Sequence, residues 1–184
     1  MILYIPKKIE RPANILDVPS AWRGLEHIIK DIIERFRIGT GKALEFGVEF
    51  GYSTVVLSNY FDKVIGIDTF EGDEHTYIKG VEGFYDIVQP LMPENVQLIK
   101  TRYQDYKDDG RYDLIHVDIV HTYEDTFVCG DWAMQHSSLV IFHDTQAFPA
   151  VMQAVADLAK KYDAEFYNYP FHHGLGILCQ KLPS

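Results

Sequence analysis

From Lys42 onward, short apolar runs alternate with longer amphipathic stretches, and this alternation constrains the fold more than any other feature of the chain. Ala43–Phe46, Val64–Ile67, Val96–Ile99, Leu114–Val117 and Leu139–Phe142 read as strands. Helical patterns cover Ser53 to about Tyr60, Tyr123–Met134 and Ala150–Tyr162. Strands separated by helical crossovers lie parallel, because parallel neighbours need a long connection. Glu165–Tyr169 and Gly176–Cys179 are joined too tightly for a crossover, so they form an antiparallel hairpin at one edge. The expected fold is α/β: a doubly wound, mostly parallel seven-stranded sheet with an antiparallel last strand.

The first part of the chain reads differently. Residues 1–19 hold three prolines and read as an extended arm. Ser20 is a suitable N-cap for a helix in which Trp22, Leu25, Ile29, Ile32, Ile33 and Phe36 recur at helical spacing, with Gly39 ending it. This divides the chain into an arm and helix over 1–39 and a main domain over 40–184.

A formal net charge of -10 argues against a nucleic-acid surface or an anionic membrane as partner, because phosphate contacts need clustered Lys and Arg. No stretch reaches the roughly 18 apolar residues of a membrane span, and Met1–Ile5 is too short for a secretory leader. The two cysteines, Cys129 and Cys179, form neither a disulfide framework nor a C-x-x-C metal pattern. The expected location is cytoplasmic.

The chemistry begins at Leu44-Glu45-Phe46-Gly47-Val48-Glu49-Phe50-Gly51-Tyr52-Ser53-Thr54. A strand runs into two glycines with a helix starting just behind them. Such glycines permit a sharp turn and a close approach by a ligand, and the helix start offers free N–H groups. A tight turn without a ligand would read the same way. Asp68 ends the second strand, 21 residues after Gly47, where an acid can accept both hydroxyls of a ribose. The turn lacks G-x-G-x-x-G, and Glu45 precedes its first glycine. A carboxylate there suits an amino-acid moiety and disfavours a pyrophosphate.

Glu45-Phe46-Gly47 with Gly51 and Ser53-Thr54, followed by Asp68, resembles motifs I and II of the class I S-adenosylmethionine-dependent methyltransferases. Asp118 with His121-Thr122-Tyr123-Glu124, and then His143-Asp144, is similar to the D-G-x-H-x-Y-E and H-D motifs of the sugar and small-molecule O-methyltransferase subgroup. The resemblance covers about residues 40–180. It implies a Rossmann-like methyltransferase fold over 40–184 and S-adenosylmethionine as cofactor. The implied cofactor contacts are Glu45, Phe46, Gly47, Glu49, Gly51, Ser53, Thr54, Asp68, Thr69, Phe70, Gln104 and Asp118. Gln104 would reach the adenine or be an exposed loop residue; Phe70 would stack beneath the adenine or pack in the core. Three departures stand out: Ile119 replaces the subgroup's glycine, Glu49 fills the middle of motif I, and His136-Ser137-Ser138 replaces Pro-Gly-Gly.

The same resemblance implies a divalent cation, Mg2+, held by Asp118, His143 and Asp144 at the tips of adjacent strands. It would orient an acceptor hydroxyl on a small or larger substrate and lower its pKa. Asp118, His121 and His143 are the candidate catalytic residues, with His121 or His143 as general base. The alternative is that Asp118 and Asp144 cap helices while His143 packs under a loop. His116 reads as a core residue, and His172 and His173 as turn residues near the active face. No lid is inserted in the domain and only the N-terminal arm with helix 20–36 could cover the site, so either the acceptor is large or a homo-oligomer completes the pocket. The competing readings are a non-catalytic binding module, a nicotinamide-dependent oxidoreductase, and a metal-dependent hydroxylase or hydrolase on the same scaffold.

Overall fold

Successive residues of a buried strand face opposite sides, so a strand with helices on both faces is apolar over most of its length. This is what the computed structural model of the protein, which describes residues 1–72, 76 and 79–180, displays at its centre. The strands are β1 (Ile2–Leu3), β2 (Lys42–Phe46), β3 (Lys63–Asp68), β4 (Val96–Lys100), β5 (Leu114–Val117), β6 (Leu139–His143), β7 (Glu165–Tyr169) and β8 (Leu175–Cys179). The helices are α1 (Ile29–Phe36), α2 (Tyr52–Ser58), α3 (Phe84–Val88), α4 (Tyr123–His136) and α5 (Pro149–Lys161).

The strand order is β1-β7-β8-β6-β5-β2-β3-β4. β2 pairs parallel with both β3 and β5, and β8 runs antiparallel to both β6 and β7. On β2, Ala43 joins a core with Tyr52, Val56, Leu57, Ile29 and Ile32, whereas Leu44 and Phe46 join one with Cys129, Met134, Val155 and Leu158. Thus α1 and α2 cover one face, and α4 and α5 the other. The chain leaves β2 towards β3 and β4, then returns to β5 on the other side. A crevice opens beyond the carboxyl ends of the strands at such a reversal. Among the described residues, no helix is long and apolar enough to cross a membrane.

The expected doubly wound sheet with its antiparallel last strand is present, with one strand more than the seven anticipated. The eighth is β1, in the stretch read as an arm. Ile2 and Leu3 pair with Tyr167 and Asn168 of β7, and Tyr4 N–H donates to the Asn168 carbonyl at 2.8 Å. Asp31 on α1 then pins the segment, accepting from the Tyr4 hydroxyl at 2.5 Å and from the backbone N–H groups of Lys7 and Lys8.

The helix expected to start at Ser20 is broken. Gly24 sits at φ 106°, outside helical space, and residues 25–27 make a 3-10 turn before α1 begins at Ile29. Ser20 accepts from Trp22 N–H within a local turn and caps no helix. α1 ends at Arg37, in a left-handed conformation, ahead of Gly39. α3, between β3 and β4, has no counterpart among the helical patterns read from the sequence.

Candidate functional site

Beyond the strand tips lies a cavity of about 830 Å³. Its floor is the turn after β2. Gly47 is left-handed at φ 90°, and a Cβ there would sit 1.6 Å from the Asp118 carbonyl oxygen. A Cβ on Gly51, at φ 81°, would meet the Met92 methyl at 2.4 Å. Gly47 is therefore required by the protein's own packing, whereas at Gly51 the Met92 methyl can give way and the left-handed backbone is what favours glycine. Glu49 shares the left-handed conformation, at φ 47°.

Asp68, at the tip of β3, braces this turn. Its Oδ2 accepts from the N–H groups of Val48 and Glu49 at 2.7 and 2.9 Å, and its Oδ1 accepts from Phe70 N–H at 2.7 Å. Carboxylate oxygens accept more than one hydrogen bond, so Asp68 keeps acceptor capacity on the cavity side.

The sequence-read residues separate into two groups. Gly47, Glu49, Ser53, Asp68, Thr69, Gln104, Asp118, His121, His143 and Asp144 line the cavity. Glu45, Phe46, Gly51, Thr54 and Phe70 lie behind its wall. Glu45 is the main correction. Its carboxylate is fully buried, with Oε1 2.8 Å from His116 Nδ1 and Oε2 accepting from the Thr54 hydroxyl. It is enclosed by these partners and does not line the cavity, so it shapes the turn from behind. Phe46 packs against Tyr106 and Trp132. Phe70, at φ 55°, turns into a cluster with Val48, Phe84 and Val88 and does not line the cavity.

At the far end of the cavity, β5 and β6 deliver the acid and histidine cluster. His143 Nδ1 faces Asp118 Oδ2 at 3.1 Å and Asp144 Oδ2 at 3.4 Å, while its Nε2 faces the His172 carbonyl at 3.2 Å. His121 Nε2 is 2.7 Å from Asp144 Oδ2, and its ring stacks on Phe148 with centroids 4.1 Å apart. Neither Asp118 nor Asp144 caps a helix; Thr122 caps α4, its side chain accepting from Asp125 N–H. Asp144 and His173 hold φ values of 64° and 66°, conformations that cost non-glycine residues free energy and cluster at functional sites.

Burial alone would depress the basicity of His143, but the Asp118 and Asp144 carboxylates and the His172 carbonyl outweigh it and raise its pKa to about 9. Burial would likewise raise Asp118, yet the charge on His143 holds it well below the ordinary carboxylate range. Without a cation, His143 is therefore an imidazolium donating from both nitrogens. It cannot then serve as a base.

One donor atom each from Asp118, His143 and Asp144 lies within 4.8 Å of the others. The His143 Nε2 contact with a backbone carbonyl aims Nδ1 at the two carboxylates, a common support for a metal-bound imidazole. The donor set fits a divalent cation, which would replace the Nδ1 proton.

The roof comes from the N-terminal segment, the one covering the sequence offered, although most of the individual residues that form it were not singled out. Pro19, Ser20, Ala21 and Trp22 line the cavity, as do Tyr52, Arg102, Tyr103 and Phe148. No local pattern marks them; they arrive from separate elements. His173, ranked low in the sequence, lines the cavity too. Among the described residues, Glu49, Asp68, Asp118, Asp125 and Asp144 face it against the Arg102 guanidinium, so its potential favours cations.

A family model described as a methyltransferase domain matches residues 44–145. No curated protein matches the chain. Among solved structures, a candidate caffeoyl-CoA O-methyltransferase from Staphylococcus aureus superposes with a TM-score of 0.66 at 15% identity, over 91% of this chain and 86% of that one. The S-adenosylhomocysteine-bound methyltransferase PaMTH1 of Podospora anserina gives 0.62 at 12% identity, over 90% and 80%. CalS10, an amino pentose methyltransferase from Micromonospora echinaspora solved with S-adenosylmethionine, gives 0.62 at 10% identity, over 88% and 92%. At these identities the likeness is one of fold.

Proposed function

Since this chain belongs to the methyltransferase-domain family of class I S-adenosylmethionine-dependent enzymes, we propose that it methylates a hydroxyl of a small-molecule acceptor with the help of a divalent cation. One observation carries the reading: a single cavity runs from the braced turn at Gly47 and Asp68 to the Asp118, His143 and Asp144 cluster. Bound S-adenosylmethionine supplies a methyl group on a positively charged sulfonium, which departs as a neutral thioether; the acidic lining suits the charge of the bound donor. Asp68 would take the ribose, with Glu49, Ser53, Thr69 and Gln104 around the rest of the donor. Solved neighbours that bind S-adenosylmethionine or S-adenosylhomocysteine support this end of the reading.

Asp118, His143 and Asp144 would hold a cation such as Mg2+, which lowers the pKa of an acceptor hydroxyl. Imidazole nitrogen beside two carboxylates also admits first-row metals. His121 is the favoured base. Asp144 orients it through Nε2 and Phe148 supports its ring, whereas His143 either carries a proton or gives up Nδ1 to a metal. Holding donor and acceptor in attack geometry, with water kept out by Pro19–Trp22, supplies the rest of the rate.

The test is methyl transfer from S-adenosyl-[methyl-3H]methionine to a panel of hydroxyl-bearing acceptors, with and without EDTA, beside calorimetric titration of the donor. Micromolar donor binding with EDTA-sensitive transfer is expected. Donor binding weaker than millimolar would overturn the reading. Transfer indifferent to EDTA would remove the metal alone.

A further inference from the structure

His116, which reads as an ordinary core residue, lies in a buried hydrogen-bonded chain that crosses the protein. Trp22 Nε1–H donates to His116 Nε2 at 3.2 Å, and His116 Nδ1 meets Glu45 Oε1 at 2.8 Å. Glu45 Oε2 then accepts from the hydroxyl of Thr54, in the first turn of α2. Trp22 is 2% exposed, and His116, Glu45 and Thr54 are fully buried. The chain starts in the cavity roof and ends at the helix that follows the Gly47–Gly51 turn.

Its direction is dictated by chemistry. An indole nitrogen can only donate, so His116 Nε2 must accept and Nδ1 must carry the ring's proton. That proton points at Glu45, and the second Glu45 oxygen is left for Thr54. In a buried site each link depends on the next, because an orphaned polar atom costs far more than a made bond contributes. The roof segment is also docked at a second point. A Cβ on Gly24 would lie 2.1 Å from the His172 ring, so only glycine permits this approach.

We propose that Trp22 and His116 are positioning residues that seat the roof segment and, through Glu45 and Thr54, hold the donor-binding turn in its working shape. The proposal rests on the donor reading above. Neither residue touches the reacting atoms in this assignment. Their loss weakens donor binding and uncovers the cavity while the acid and histidine cluster stays intact.

The experiment uses the full chain with Trp132→Phe, so that Trp22 is the sole indole. His116→Leu breaks the chain, His116→Gln keeps one acceptor and one donor, and Trp22→Phe removes the N–H together with the five-membered ring while retaining an aromatic ring. His116→Leu is expected to make Trp22 fluorescence quenchable by acrylamide and to raise the S-adenosylmethionine Kd by about 10-fold, the scale of one broken buried hydrogen bond. His116→Gln should restore both, and Trp22→Phe, tested in the Trp132-containing protein, should reproduce the weaker Kd. Should His116→Leu fail to fold, the Gln and Phe variants still decide through Kd. Wild-type Kd in both folded variants, with Trp22 still shielded in His116→Leu, would overturn the proposal. If the wild type binds no donor, the donor reading fails by itself, and the quenching arm still decides whether His116 seats Trp22.

Discussion

His143 Nδ1 lies 3.1 Å from Asp118 Oδ2, across the step between β6 and β5. The pair ties the two strand tips at one end of the cavity. Its consequences differ with and without a cation, and both can be measured.

Without metal, the pair makes stability pH-dependent. His143 is raised from the ordinary histidine value to about 9, so its contribution is complete below the unfolded value and disappears as pH climbs through 9. Asp118 is depressed, so its contribution is present above the ordinary aspartate value and is lost as pH falls towards its folded value. The pair therefore contributes most between about pH 4 and 6.5, bounded by the two unfolded values. A contribution of about 1–2 kcal/mol corresponds to roughly 2–8 °C at this chain length. Melting in EDTA from pH 6 to 9.5 should show this alkaline decline, and His143→Gln should flatten it. An equal decline in the variant would place the titration elsewhere.

Cation binding should compete with the Nδ1 proton. Ligation requires a neutral imidazole, so the apparent affinity for Mg2+ or Mn2+ rises with pH. At 100 times Kd a ligand adds about 2.7 kcal/mol of stability. Thermal shifts on adding either metal to EDTA-treated, dialysed protein should therefore be larger at pH 8.5 than at pH 6. Asp144→Asn or His143→Ala should abolish them.

Asp68 braces the turn and, in the proposed function, takes the ribose; substitution should separate the two. Asp68→Ala removes the acceptor for Val48, Glu49 and Phe70 N–H groups, lowering stability by about 1–3 kcal/mol and donor affinity by at least 10-fold. Asp68→Asn keeps one carbonyl oxygen, so it should recover part of the stability while remaining weak for the ribose. Calorimetry beside urea unfolding reads both. Equal donor affinity in wild type and Asp68→Asn would remove Asp68 from the ribose site.

Gly47 and Gly80 offer a controlled pair. Both are left-handed, at φ 90° and 79°, but a Cβ on Gly80 meets nothing within 4 Å while one on Gly47 would strike Asp118. Gly80→Ala should cost about 1–2 kcal/mol, the left-handed penalty alone. Gly47→Ala adds a backbone clash and should cost roughly 1–3 kcal/mol more. Similar midpoints for the two variants in urea would mean that β5 yields to the turn easily.

Much of this architecture was legible in the chain. The strand runs read from the sequence fall within a residue or two of β2 to β8, because the central strands are buried on both faces and are apolar over most of their length. Tyr123–Met134 and Ala150–Tyr162 were equally plain, since α4 and α5 each need one apolar face. The helix from Ser20 was misread because its periodicity is genuine: Trp22 and Leu25 are buried alongside Ile29 and Ile32. Periodicity reports burial, and it cannot see that Gly24 leaves helical space to let the chain approach the His172 ring. β1 was hidden because two residues, Ile2 and Leu3, carry no period at all.

The sequence by itself determined which residues sit at strand tips, because strand length and residue order place Asp68, Asp118 and Asp144 there directly. Only the tertiary structure decided what those and neighbouring side chains face. Glu45 has the position of a ligand contact, yet it is enclosed with His116 and Thr54, because β5 and α2 close over it. Trp22 and His116 are 94 residues apart, and nothing local to either predicts the bond between them. Hydrogen-bond partners in an interior are chosen by whichever polar atoms packing strands together, and that choice belongs to the whole fold.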